Sequence, residues 1–229
     1  MQVAFIDNLE KMIEQNIDKA LLLSSTGTGK TYAAAFAMRH FGFNKVLFVV
    51  HRNQIAKQAM KSFCKVFGES VSMGMVSGTL NKKEIDKDYI FATIQTLSKD
   101  ENLCLFKPEH FEAIIYDEAH HVSAASYKKV MDYLKPQFTL GMTATPDKRD
   151  DYIEGRNIYE IFNHNIAYEI RLQQAMEEDL LCPFHYFGIT DLEWVDDTIG
   201  ENKNSTKEQK LEDFRYLTSD ERVDLSLIH

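Results

Sequence analysis

The sequence predicts an α/β protein, a mainly parallel sheet with helices on both faces. Segments that are apolar throughout, such as Val46–Val50, alternate with segments whose apolar residues recur at helical spacing. Gly42 and Gly68 follow two of the helical segments, as helix-ending glycines do. Strands that are apolar throughout need cover on both faces, which is typical of parallel strands connected by helices.

Each predicted element follows from its local pattern. The first helix has apolar residues at 5, 6, 9, 12, 13 and 17, and the second contains four alanines. The predicted helices are residues 5–17, 32–41, 54–67 and 124–134. The predicted strands are residues 20–23, 45–50, 71–76, 89–92, 111–116 and 138–142. Residues 191–210 are acidic and polar, so we expect one compact domain over 1–180 and an extension over 181–229, with a helical cap that packs back on the same domain as the alternative.

Composition limits the class of protein. The 229 residues are 44% hydrophobic and 27% charged, which is typical of a globular protein. Cys64, Cys104 and Cys182 form no CxxC pair, so we expect neither a disulfide framework nor a Cys-rich zinc module, and a cytoplasmic location. The start of the chain lacks the apolar core of a signal peptide, and the apolar runs are too short to cross a membrane. A net charge of −9 argues against a passive nucleic-acid-coating protein.

A glycine-rich turn lies between the first predicted strand and the second predicted helix. Residues 24–31 read Ser-Ser-Thr-Gly-Thr-Gly-Lys-Thr. Glycines let backbone amides converge on phosphate oxygens, and the following helix presents its N-terminus to negative charge. We expect Lys30 to reach the β- and γ-phosphates and Thr31 to bind Mg²⁺. The strict pattern has Gly where this chain has Ser24, and an ordinary glycine-rich turn is the alternative. The residues predicted to hold the nucleotide are Thr26, Gly27, Thr28, Gly29, Lys30 and Thr31.

Two adjacent carboxylates follow the strand predicted at residues 111–116. Asp117 and Glu118 therefore belong at the carboxyl edge of the sheet, where open α/β folds bind ligands. Asp117 suits Mg²⁺, and Glu118 suits orientation and deprotonation of an attacking water. The pair alone is also a common helix start, but together with the glycine-rich turn it indicates catalysis, with Lys30 as the third catalytic residue. His120 and His121 follow directly, and neighbours in sequence do not converge on one metal ion.

Three motifs in this order resemble motifs I, II and III of superfamily 2 helicases and translocases, and their spacing resembles a first RecA-like motor domain. They are residues 26–31, 117–120 and 141–146. Residues 51–52, 92–97 and 117–121 are similar to the restriction-enzyme-like group, which contains motor subunits of type I and type III restriction systems. The resemblance implies ATP and Mg²⁺ as cofactors. It implies nucleic acid as a partner, DNA rather than RNA, with a second RecA-like domain in the same polypeptide and associated nuclease or methyltransferase subunits.

The resemblance also implies roles for residues outside the glycine-rich turn. Gln2 matches the glutamine that reads adenine, although an ordinary exposed glutamine would look the same. The residues implied in nucleic-acid contact, or in coupling it to the nucleotide, are Arg52, Gln54, Thr93, Gln95, His120, Thr143 and Thr145. Apart from the resemblance, Arg52 and Gln54 also suit a solvated helix start, and Thr143 and Thr145 suit a strand-end turn.

The sequence after Thr145 contains no Gly-rich, Arg-paired motif of the kind that a second motor domain carries. In related phosphoryl-transfer enzymes an arginine finger contributes on the order of 10³ to 10⁵ in rate. We therefore expect this chain to bind Mg-nucleotide and to hydrolyse it very slowly. The rival hypotheses are a nucleotide-gated binding or scaffolding module without significant hydrolysis, and a small-molecule kinase.

Overall fold

The computed structural model describes residues 2–76, 85–122, 124–145 and 157–182, which all belong to one compact unit, Met1–Pro183. The predicted extension over 181–229 lies almost wholly outside the described residues. Seven described strands form one sheet: β1 Lys19–Ser24, β2 Val46–Val50, β3 Met73–Val76, β4 Tyr89–Thr93, β5 Ala113–Asp117, β6 Phe138–Thr143 and β7 Ile166–Ile170. All neighbouring pairs are parallel, in the order β3-β4-β2-β5-β6-β1-β7. The predicted α/β class and parallel sheet are confirmed.

Helices connect the strands and cover both faces of the sheet. The described α-helices are α1 Gln2–Glu14, α2 Lys30–His40, α3 Asn53–Phe67, α4 Ile94–Leu97, α5 Asp100–Leu103, α6 Ala125–Tyr133, α7 Ile158–Ile161 and α8 Leu172–Glu177, with a 3₁₀ turn at Ala119–His121. Within these ranges none is long and apolar enough to span a membrane.

The core lies in two layers, one on each face of the sheet. On one face α1, α2 and α3 pack against alternate strand residues such as Leu22 and Phe48. On the other face α4 to α7 pack against the intervening residues, such as Leu21 and Leu47. Because successive side chains of a strand point to opposite faces, strands covered on both sides are apolar at every position.

Gly141 in β6 marks a close approach between the sheet and the segment after α7. A Cβ atom at this position would lie 2.5 Å from Cζ of Phe162 and 2.8 Å from Cδ2 of Leu21. Both neighbours are fully buried. Glycine is therefore needed here for space rather than for backbone conformation.

The four predicted helices and the six predicted strands are all present, with ends that differ by a few residues. The first helix stops at Glu14, because Asn16 adopts a left-handed backbone (φ 57°) that ends the helical path before Ile17. Strand β7 was not predicted. Only Ala167 and Ile170 of β7 are fully buried, so this edge strand lacks the continuous apolar pattern of the central ones.

Candidate nucleotide site

Three strand ends meet at the carboxyl edge of the sheet. The glycine-rich loop, residues 24–31, follows β1, Asp117 ends β5, and β6 runs between these two strands. In register, Leu23 of β1 lies beside Thr143 of β6, and Asp117 lies beside Met142. Two strand spacings are about 10 Å, so the loop and the carboxylates face each other across the end of β6.

The loop has the backbone that a phosphate cradle needs. Gly27 and Gly29 both have φ of 89°, a backbone conformation that residues other than glycine rarely adopt. Gly29 also precedes the first residue of α2, whose amino end therefore opens into the loop. Leu181 lies next to Gly27, since a Cβ atom at residue 27 would be 3.0 Å from Cδ2 of Leu181.

Lys30 is held against the loop. Its Nζ donates to the carbonyl oxygens of Ser24 at 2.8 Å and Ser25 at 3.1 Å. Burial lowers the pKa of Lys30, and the charges of Asp117 and Glu118 oppose that shift. The ammonium is thus partly desolvated, which strengthens its attraction for a phosphate group.

Asp117 and Glu118 are adjacent but lie in different environments. Asp117 is buried, and burial, followed by the Glu118 charge, raises its pKa to about 6. Glu118 is half-buried and has a left-handed backbone (φ 52°), which is uncommon for a residue with a side chain. Its amide donates to Oδ1 of Asp117 at 3.1 Å. The two adjacent carboxylates therefore differ in burial and in backbone conformation.

His120 joins the carboxylate pair to the end of β6. Its Nδ1 lies 3.3 Å from Oε2 of Glu118 and 3.0 Å from the hydroxyl of Thr143. The Thr143 hydroxyl also accepts from the amide of Thr145 at 3.2 Å. The residues predicted for coupling between the second and third motifs therefore form one connected polar group.

The donor set fits a small hard cation bound together with phosphate. Mg²⁺ prefers oxygen ligands and commonly uses one or two protein groups, with phosphates and water completing its shell. The hydroxyl of Thr31, in the first turn of α2, and the carboxylate of Asp117 are two oxygen donors at this edge that would suit it. The raised pKa of Asp117 reflects a buried carboxylate with incomplete positive compensation, which a divalent cation would supply.

The residues predicted to contact nucleic acid follow the neighbouring strands β2 and β4 at the same edge. Arg52 and Gln54 are exposed at the start of α3, and Gln95 is exposed in α4. Thr93 is buried, and its hydroxyl donates to that of Thr96 at 2.9 Å. Arg52, Gln54 and Gln95 are thus accessible to a ligand, whereas the Thr93 side chain stabilises the turn that presents Gln95.

Gln2 is the first residue of α1 and lies beside α2. It is exposed and borders an open depression of about 450 Å³. The other described residues around the depression are Val3, Ile6, Phe36, Arg39 and His40. Phe36 is about 9 Å along α2 from Lys30 at the helical rise of 1.5 Å per residue. An adenine role for Gln2 stays a prediction.

Several side chains at this edge were not predicted as part of the site. The imidazole of His51 lies 5.5 Å from that of His121, which lies 4.1 Å from that of His120, measured between ring centroids. The hydroxyl of Tyr127 is buried without a hydrogen-bond partner among the described residues. Burial, then the charges of Asp117 and Glu118, raises the pKa of Tyr127. No short motif signals such contacts, since they depend on which strand ends become neighbours.

A parallel sheet with a glycine-rich phosphate loop after β1 and a carboxylate pair after β5 defines a RecA-like P-loop nucleoside triphosphatase domain. The family described as "Type III restriction enzyme, res subunit" matches residues 1–148, and the chain belongs to this family. The predicted resemblance to superfamily 2 motors of the restriction-enzyme-like group is confirmed. Membership of this family implies nucleotide use.

A curated relative agrees with this assignment. The chain is 27% identical over 196 residues to the Type I restriction enzyme EcoAI endonuclease subunit of Escherichia coli, covering 80% of this chain and 23% of that protein. The chain thus spans about a quarter of the length of this curated relative.

Solved structures share the fold. One is a nuclease-deletion mutant of the Type ISP restriction-modification enzyme LlaGI in complex with a DNA substrate mimic, with a TM-score of 0.60 and 21% identity over 95% of this chain and 24% of that one. Another is the Pyrococcus furiosus Hef helicase domain, with a TM-score of 0.57 and 21% identity over 70% of this chain and 36% of that one.

Proposed function

We propose that this chain is the ATP-binding motor domain of a nucleic-acid-dependent helicase or translocase. The observation that carries the proposal is the position of Lys30, which faces Asp117 and Glu118 across the end of β6 at one sheet edge. That arrangement joins a phosphate cradle, a cation ligand and a base for water, which together are what nucleoside triphosphate hydrolysis requires.

Each group has a distinct task. Lys30 exchanges its contacts with the Ser24 and Ser25 carbonyls for the β- and γ-phosphates, and the amides of residues 26–31 bind the remaining phosphate oxygens. Thr31 and Asp117 would hold Mg²⁺, whose charge would help to neutralise the phosphates. Glu118 orients a water and accepts its proton. His120 contacts both Glu118 and Thr143. A movement of Glu118 on nucleotide binding or hydrolysis is thereby transmitted to the end of β6.

DNA is the proposed nucleic acid, contacted by Arg52, Gln54 and Gln95 on the strand ends next to the nucleotide. Exposed cationic and amide side chains suit contacts with backbone phosphates. The relatives named as restriction enzymes support DNA over RNA, and they support associated nuclease or methyltransferase subunits. The three described cysteines are free, which supports a cytoplasmic location.

Hydrolysis is proposed to need a second RecA-like domain, with residues 1–180 forming the first and 181–229 leading toward the second. Because that domain supplies the arginine finger, Glu118→Gln is informative only where both domains are present. We expect it to leave Mg-nucleotide binding intact and to abolish nucleic-acid-stimulated ATP turnover. Equal turnover with and without the substitution would contradict the motor role and favour a nucleotide-gated scaffold.

The nucleotide site itself is testable in this chain by thermal unfolding with and without Mg-ADP. Ligand at 100 times its dissociation constant stabilises a protein by about 2.7 kcal/mol. For a domain of this size that is a rise of roughly 5–10 °C. Lys30→Ala should lose the rise, whereas Lys57→Ala, on the exposed face of α3, should keep it. A Lys30→Ala protein that responds like the parent would contradict the proposed role of Lys30, and an unresponsive parent would contradict the nucleotide site.

A further inference from the structure

The strict phosphate-loop pattern has glycine where this chain has Ser24, yet the Ser24 side chain is built into the loop. Ser24 is the last residue of β1 and is 1% exposed. Its hydroxyl is hydrogen-bonded to the hydroxyl of Thr28, which is itself buried between the two left-handed glycines. The Thr28 hydroxyl also donates to the carbonyl oxygen of Ser25 at 2.8 Å.

The direction of this chain of hydrogen bonds follows from counting protons. A hydroxyl carries one proton, and that of Thr28 is directed to Ser25. Ser24 must therefore donate to Thr28. The result is a clamp, Ser24 to Thr28 to Ser25, which ties the middle of the loop to the end of β1.

The clamp does not depend on Lys30. In the structure Lys30 bonds to the carbonyls of Ser24 and Ser25, and in the proposed function it leaves them for phosphate. Thr28 then still satisfies the Ser25 carbonyl, and Ser24 still holds Thr28. The loop keeps its shape at the moment when its lysine moves away, so less conformational entropy is lost on binding.

We propose that Ser24 is a positioning residue for nucleotide binding, acting through Thr28 to hold the phosphate loop in its binding conformation. The inference rests on the proposed nucleotide-binding function. Glycine would leave the first loop position, residue 24, without a side chain, whereas the Ser24 hydroxyl of this chain braces the fifth position, Thr28.

A double-mutant cycle on Mg-ADP affinity, measured by calorimetry on this chain, tests the clamp. Ser24→Ala and Thr28→Val should each weaken binding about 3- to 10-fold, the effect of one net hydrogen bond. Their combination should weaken it no more than the stronger single substitution, because both remove the same clamp. Thr28→Ser keeps the hydroxyl and should bind within about 2-fold of the parent. Ser62→Ala removes an exposed hydroxyl on α3 and serves as the matched control.

Each outcome has a separate meaning. Parental affinity in Ser24→Ala, or losses that multiply in the double variant, would overturn the clamp while leaving the nucleotide site in place. No binding by the parent would instead contradict the proposed function. Unfolding midpoints without nucleotide show which variants fold, and if Ser24→Ala does not, the comparison of Thr28→Val with Thr28→Ser decides alone: equal affinities would overturn the clamp.

Discussion

Gly141→Ala tests whether β6 and the segment after α7 are packed as closely as the structure has them. The new methyl group would lie 2.5 Å from Cζ of Phe162 and 2.8 Å from Cδ2 of Leu21. Carbon atoms in contact prefer about 3.5–4.0 Å, so a gap of about 1 Å must open. Overpacking of a buried site costs about 1–3 kcal/mol. For a domain of this size that lowers the unfolding midpoint by roughly 2–12 °C.

The assay is thermal unfolding of four proteins: the parent, Gly141→Ala, Phe162→Leu and the double variant. Leucine lacks the Cζ atom that the methyl group would meet, so the alanine should cost less in the Phe162→Leu background, where the close approach to Leu21 remains. An unchanged midpoint in Gly141→Ala would refute the close packing. An equal cost in both backgrounds would show that Phe162 is not the cause.

Three further predictions follow from single sites. Hydrogen bonds from Ser72, then the Lys45 charge, lower the pKa of Asp88. The ionised Asp88 therefore contributes stability above the unfolded-state pKa of about 3.9, and this contribution is lost as pH falls through the lower folded-state value. The urea midpoint of the parent should exceed that of Asp88→Asn at pH 7, and the two midpoints should converge in acid. Gly29→Ala should weaken Mg-ADP binding, measured by calorimetry, because φ of 89° strains alanine at the entrance to α2; equal affinity would argue that the loop relaxes freely. Gln2→Ala should reduce the preference for ADP over GDP in competition binding, and an unchanged preference would remove Gln2 from the adenine site.

The sheet and the main parts of the site are predictable because they depend on local patterns. Apolar runs such as β2 and β5 identify strands buried on both faces. The glycines of the loop and the pair Asp117–Glu118 follow such strands directly, so their place at the carboxyl edge follows from strand direction alone. Position in the chain determines position in the fold for these residues.

What the sequence could not predict depends on which elements become neighbours. The contact between His51 and His121 requires β2 and β5 to be adjacent, and the Ser24 clamp requires the loop to fold back on its own strand. β7 escaped prediction because Tyr168 and Glu169 interrupt its short apolar pattern. A motif identifies a site, but strand order decides which side chains from elsewhere complete it.

Leu181 lies so close to Gly27 of the phosphate loop that a Cβ atom at residue 27 would be 3.0 Å from its Cδ2. A side chain at residue 27 would therefore strain the left-handed turn and crowd Leu181 at the same time, so the loop and residue 181 respond to the same substitution.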